Sequence, residues 1–162
     1  MIILGIDTSC DDTSASLIDI TNSEIKVITN IVSSQSDIHK KYGGIVPELA
    51  SRRHIEMIWP VVEEAAGGIK PDAVAVCKGP GLIGSLLVGT SFAKAMCYPK
   101  SIPLVGVNHL EGHLISIFLT EKPKFPFISL IVSGGHTSLY RVDDFCRYSE
   151  LGRTRDDAAG EA

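Results

Sequence analysis

Hydrophobic and polar positions change period several times along this chain. Ile2-Ile3-Leu4-Gly5-Ile6 is a short, β-branched apolar run, which predicts a buried strand. Residues 7–14 form a polar turn, and residues 15–20 return as a second strand. Residues 25–32 predict a third, giving an antiparallel meander. Residues 33–44 are polar and end in Tyr42-Gly43-Gly44, which predicts a loop. The period then becomes helical. Val46, Leu49, Ala50, Ile55, Ile58, Trp59, Val62 and Ala66 recur at helix spacing over residues 46–66. Pro47 suits a first turn, Pro60 predicts a kink or a split, and Gly67-Gly68 stops the helix.

Residues 72–77 predict a short strand, Gly79-Pro80-Gly81 a sharp turn, and residues 82–98 a second helix. Gly84, Ser85, Gly89 and Ser91 give that helix a smooth face on which another backbone can pack. A strand over 104–107 feeds a helix that starts at His109. Phe127-Ile128-Ser129-Leu130-Ile131-Val132 is again a buried strand, residues 133–135 a tight turn, and residues 136–142 a return strand. The order is β-β-β-α-β-α-β-α followed by a new hairpin. It predicts an α/β chain with a mixed five-stranded sheet over residues 1–108 and the start of a second lobe over 109–162. Two strand–polar turn–strand units of this kind characterise the actin-like, ribonuclease H-like architecture, an analogy of fold that fixes no function. Residues 155–162 (Arg155-Asp156-Asp157-Ala158-Ala159-Gly160-Glu161-Ala162) predict the start of a helix, so the second lobe is expected to be incomplete.

Composition narrows the classes. The chain has 162 residues, 44% hydrophobic and 21% charged, which is ordinary for a domain with a core. A net charge of −4 excludes a global basic field for nucleic acid. Lys40-Lys41 and Arg52-Arg53-His54 are the basic spots, and such runs read as solvated surface. Cys10, Cys77, Cys97 and Cys146 have no C-x-x-C spacing, which predicts reduced thiols and a cytoplasmic location. The start of the chain lacks the features of a signal peptide, and no apolar run reaches the ~20 residues needed to span a bilayer, so no membrane is expected.

Candidate chemistry concentrates in two places. His109 and His113 stand four apart, hence side by side on a helix, and two such imidazoles can hold one divalent ion. The order His109-Leu110-Glu111-Gly112-His113 is not the H-E-x-x-H of zinc proteases, and a further ligand, usually a carboxylate, is needed. Two solvated histidines would give the same spacing. Gly112, which costs a helix about 1 kcal/mol relative to alanine, hints at a close approach to the backbone. The second place is Ser133-Gly134-Gly135, where successive glycines let backbone N–H groups converge on an anion. Gly79-Pro80-Gly81 is not a Walker loop.

Six segments together resemble the bacterial-type tRNA threonylcarbamoyladenosine transferase family (TsaD, also Gcp, YgjD or Kae), in its N-terminal portion. They are residues 5–13, 43–52, 79–89, 109–113, 132–137 and 156–162, in order from end to end. The resemblance implies transfer of threonylcarbamoyl from threonylcarbamoyl-AMP, an ATP-like nucleotide ligand, to the adenosine next to the tRNA anticodon. It implies His109 and His113 as ligands of one Fe2+ or Zn2+ per subunit. It implies substrate binding by Ile131, Val132, Ser133, Gly134, Gly135 and His136. Asp11 matches an acidic residue near the reacting group, with Asp12 beside it; either could position or deprotonate the attacking amine, or simply form the turn. Implied partners are tRNA, a TsaB-like paralogue as heterodimer on the Gly-Pro-Gly helix, a TsaE-like ATPase and a TsaC-like enzyme upstream. The family's third metal ligand, an aspartate, lies in a half that this chain lacks, so the chain alone is expected to be inactive.

Three other classes compete, and one of them, an acetate- or sugar-kinase relative, would share the hairpins but has no reason for the His109–His113 pair. A metalloendopeptidase, the family's historical sialoglycoprotease label, requires a motif order that is missing. A non-catalytic partner-binding fragment needs only the Gly-Pro-Gly helix.

Overall fold

The first two strands form because alternate residues can be buried on one face. The computed structural model describes residues 1–22, 24–133, 137–155 and 159. In it β1 (Ile2–Asp7) buries Leu4 and Ile6, and β2 (Asp12–Thr21) buries Thr13, Ala15 and Leu17. They pair antiparallel, with Ile6 opposite Ala15. β3 (Glu24–Ser34) pairs antiparallel with β2 as an edge strand, with a register shift between Leu17 and Ile18.

The stretch expected as a loop over 33–44 contains a short helix, α1 (Ser36–His39), and a 3-10 turn over Lys40–Tyr42. A buried polar chain orders it. The Val46 N–H donates to Nδ1 of His39 at 3.3 Å, so Nε2 carries the proton and faces Oε1 of Gln35 at 3.3 Å. Gln35 in turn donates to the Ala50 carbonyl. α2 (Pro47–Ala66) then runs in one piece through Pro60. The expected split is absent because Ile58, Val61 and Val62 are buried on both sides of the proline, and that packing outweighs the hydrogen bond it removes. The buried stripe is Ala50, His54, Ile58, Val61, Val62 and Ala65, whereas Ile55 and Trp59 face outward.

β4 (Ala73–Gly79), α3 (Ile83–Cys97) and β5 (Leu104–Asn108) complete this layer. The mixed five-stranded sheet runs β3-β2-β1-β4-β5, with β1, β4 and β5 parallel. Leu4, Ile6, Leu17, Val74 and Val76 meet Ile58, Val61, Val62, Ala65, Ala93 and Cys97 in one core. The smooth face of α3 is used inside the chain. A Cβ at Gly84 would strike the Ser51 side chain of α2, and one at Gly89 would strike Thr8.

Two compact units divide at α4 (His109–Ile115): Met1–His109 and Leu110–Ala162. The second unit carries β6 (Phe127–Val132), β7 (Thr137–Asp144) and β8 (Arg147–Arg153), an antiparallel sheet in that order. Phe127 pairs with Val142 and Val132 with Thr137, as the hairpin pattern predicts. Leu114, Ile131, Tyr140 and Val142 form its core. β8 was not legible, because only Tyr148 and Leu151 interrupt its polar residues. The helix expected from residue 155 falls largely on residues 156–158 and 160–162, outside the described residues. Among the described residues no helix is long and apolar enough to cross a membrane.

Candidate functional site

Ile6 pairs with Val76 on parallel strands, so the next residues, Asp7 and Cys77, sit side by side at the strand ends. Cys77 pairs with Val107 of β5, and His109 follows that strand as the first residue of α4. Three neighbouring parallel strands thus deliver a carboxylate, a thiol and an imidazole to their carboxyl ends. In open α/β sheets that is where ligands bind. One ligand atom from each of Asp7, Cys77 and His109 lies within 4.8 Å of the others.

Hydrogen bonds fix the group. The carboxylate Oδ2 of Asp7 can only accept, so Nδ1 of His109, at 3.1 Å, donates to it. Oγ of Ser9 lies at 3.1 Å from the same nitrogen, and the Ser9 N–H donates to Oδ1 of Asp7 at 2.7 Å. Burial pushes the Asp7 carboxyl up, but the hydrogen bonds from His109 and Ser9 outweigh it and hold its pKa below the usual value. Asp7 in turn raises the His109 imidazole to about 10, with Cys77 helping and burial opposing.

The turn after β1 is clamped from two sides. Leu82 N–H donates to the Ser9 carbonyl at 2.8 Å, and Thr8 Oγ1 donates to the Ser85 carbonyl at 2.7 Å. Gly81 has a φ of +159°, and a Cβ there would strike the Ser9 carbonyl, so the turn over residues 79–81 can press on residues 8–9 only without a side chain. From α2, Nε2–H of His54 donates to the Cys10 carbonyl at 3.1 Å, and Nδ1 pairs with the Thr13 hydroxyl at 2.7 Å. His54 is therefore wholly buried, which corrects the reading of Arg52-Arg53-His54 as one solvated run. Arg52 and Arg53 do lie outside, paired with Glu48 and Glu56. Between these clamps stand Asp11, half-buried, and Asp12, exposed. The Cys10 thiol beside them is pushed up to about 11 by partial burial and by the Asp11 charge.

His113 is exposed on α4, in the second unit. There Ile131 is buried, Val132 exposed and Ser133 half-buried; Gly134, Gly135 and His136 lie outside the described residues. Of the expected residues, the structure joins His109 to Asp7, Ser9 and Cys77, none of which spacing alone singled out. The signal was available: a polar or thiol residue ends each of two apolar strand runs, and His109 follows the third. A second feature is an apolar surface on α2 and α3, where Trp59 is 58% exposed, Ile83 75% and Leu87 56%.

The family model of TsaD, tRNA N6-adenosine threonylcarbamoyltransferase, matches residues 26–162. The chain is 62% identical to a tRNA N6-adenosine threonylcarbamoyltransferase of Thermodesulfovibrio yellowstonii, covering 100% of this chain and 49% of that protein. It is 58% identical to that of Desulforapulum autotrophicum, covering 100% and 50%. The chain spans about half the length of the curated relatives it matches. Among solved structures, YeaZ from Pseudomonas aeruginosa superposes with a TM-score of 0.58 at 15% identity, over 93% of this chain and 64% of that one. The Aquifex aeolicus PPX-GPPA enzyme gives 0.56 at 12% identity, over 93% and 52%. These likenesses fix the actin-like, ribonuclease H-like fold and nothing more.

Proposed function

We propose that this chain, which belongs to the TsaD family of tRNA N6-adenosine threonylcarbamoyltransferases, supplies the N-terminal half of a metal-assisted transferase. The substrate is threonylcarbamoyl-AMP, and the acceptor is the exocyclic amine of the adenosine next to the tRNA anticodon. The amine nitrogen bonds to the carbamoyl carbon, the bond from that carbon to the phosphate oxygen breaks, and AMP leaves.

The observation that carries the reading is the grip of Asp7 on Nδ1 of His109 at 3.1 Å. A carboxylate on one ring nitrogen orients an imidazole to offer the other to a metal. His109 through Nε2, with His113 one turn on in α4, suits a divalent iron or zinc ion. Bound there, the ion supplies Lewis acidity to the carbamoyl carbonyl. Asp11 and Asp12 orient the attacking amine and take up its proton. Their turn is held rigid by His54 and by the clamp at Gly81. Ile131, Val132 and Ser133, with Gly134, Gly135 and His136, which lie outside the described residues, bind the adenylate.

The apolar surface of Ile55, Trp59, Ile83 and Leu87 suits a TsaB-like (YeaZ-like) paralogue, giving a heterodimer. A TsaE-like ATPase and a TsaC-like enzyme that makes the adenylate complete the set. The free thiols of all four cysteines fit the cytoplasm. Cells depleted of their own transferase provide the test. Rescue of the modified nucleoside by the full-length parent, and its loss with His113→Ala, are expected. Equal rescue by His113→Ala would overturn the metal reading, and no rescue by the unmutated parent would overturn the function.

A further inference from the structure

Asp7, Cys77 and His109 include a soft donor that the proposed transfer does not use. The Cys77 side chain is buried two residues before the end of β4, and its sulfur, an Asp7 oxygen and a His109 nitrogen lie within 4.8 Å of one another. Zinc-class ions bind thiolate at about 2.3 Å and imidazole or carboxylate at about 2.0–2.2 Å in a tetrahedron, which sets ligand–ligand edges of roughly 3.3–3.8 Å. The Asp7 Oδ2 to His109 Nδ1 separation, 3.1 Å, is already close to such an edge. Cys77 has only to close by about 1 Å from the outer bound to complete the three-ligand face. The Ser9 hydroxyl, 3.1 Å from Nδ1, stands beside the group.

We infer that Asp7, Cys77 and His109 form a site for a thiophilic divalent cation, entered through Nδ1 of His109 and sharing only that imidazole with the His109–His113 pair. The charge fits the half-buried setting. One doubly charged ion meets one carboxylate, one thiolate and a neutral imidazole, so the occupied site is neutral and little desolvation is left uncompensated. Occupation balances as follows: the Cys77 thiol proton goes to solvent, and the imidazole proton moves from Nδ1 to Nε2, or leaves if both nitrogens carry one. Nδ1 and Nε2 of a neutral imidazole share one lone pair between them for metals, so an ion here and an ion on His113's side exclude each other. The inference rests on the three-residue geometry alone and stands whether or not the transferase reading does.

Cobalt(II) is the probe, because its tetrahedral thiolate complexes show a sulfur-to-metal charge-transfer band in the near ultraviolet. The chain is titrated with Co2+ as it is, and again as Cys77→Ser, Asp7→Asn and His113→Ala. The unmutated chain and His113→Ala are expected to show the band, saturating at one ion per chain. Cys77→Ser is expected to lose it. Asp7→Asn is expected to bind more weakly by more than about 10-fold, the range in which loss of even an outer partner falls. No band in the unmutated chain, an undiminished band in Cys77→Ser, or loss of the band in His113→Ala would each overturn the inference. A second reading needs no variant. Zn2+ should protect Cys77, and not exposed Cys10 or Cys146, from alkylation mapped by mass spectrometry, and unprotected Cys77 would contradict it.

Discussion

Replacing Thr13 by valine tests whether His54 is the buried strut of the acidic turn. Valine keeps the shape of threonine and removes the hydroxyl that meets Nδ1 of His54 at 2.7 Å. Both residues are 0% exposed, so water cannot take the place of the lost partner. Leaving one buried polar atom unsatisfied costs about 1–3 kcal/mol. Arg52→Ala, two residues from His54 in sequence, is the control. It removes a pair whose side chains are 72% and 74% exposed, and such helix-surface pairs contribute about 0.3–0.5 kcal/mol. Urea unfolding followed by the fluorescence of Trp59, the chain's one tryptophan, reads the α2 layer directly. Thr13→Val should lower the midpoint well beyond Arg52→Ala. In a double-mutant cycle with His54→Leu the losses should fall short of additive, because the second change removes the atom that the first left stranded. A Thr13→Val chain within about 0.5 kcal/mol of the parent, the scatter of surface changes, would refute the reasoning, as would strict additivity.

Gly89→Ala should destabilise the chain by about 1–3 kcal/mol, since its Cβ lands on Thr8, which has no room to retreat while it donates to Ser85; a midpoint unchanged in the same urea assay would contradict this. The thiol of Cys10, held at about 11, should alkylate slowly near neutral pH and faster as pH climbs towards that value. Asp11→Asn removes the charge that disfavours the thiolate, so the rate at fixed pH should rise; an unchanged rate means that Asp11 does not act on Cys10. Ile83→Glu with Leu87→Glu should abolish co-purification with a YeaZ-like paralogue and leave the unfolding midpoint within about 0.5 kcal/mol, because both side chains are exposed. Retained co-purification would place the partner elsewhere.

Much of the fold was legible because local and global signals agree. The alternation of Leu4 and Ile6, and of Thr13, Ala15 and Leu17, is the burial pattern of β1 and β2. The helix over 46–66 survived its proline because its buried stripe is continuous. His54 shows what local reading loses. Beside two arginines it looks like surface, yet it stands in phase with Ala50, Ile58, Val61 and Ala65, and that phase was the signal to follow. Asp7 was hidden for a different reason. Its partner His109 is 102 residues away, and they meet only because β1, β4 and β5 lie parallel and adjacent. Spacing could suggest the His109–His113 pair because that relation is local to one helix; it could not find what grips His109 from across the sheet.

The most direct test supplies threonylcarbamoyl-AMP and unmodified tRNA to the full-length parent together with the proposed YeaZ-like paralogue and TsaE-like ATPase, leaving out the upstream enzyme. The modified nucleoside is then quantified for the parent, Asp7→Asn and His109→Ala. The parent is expected to form threonylcarbamoyladenosine, Asp7→Asn to form it about 10- to 100-fold more slowly, and His109→Ala to form none. Product formation by His109→Ala at the parent's rate would contradict this.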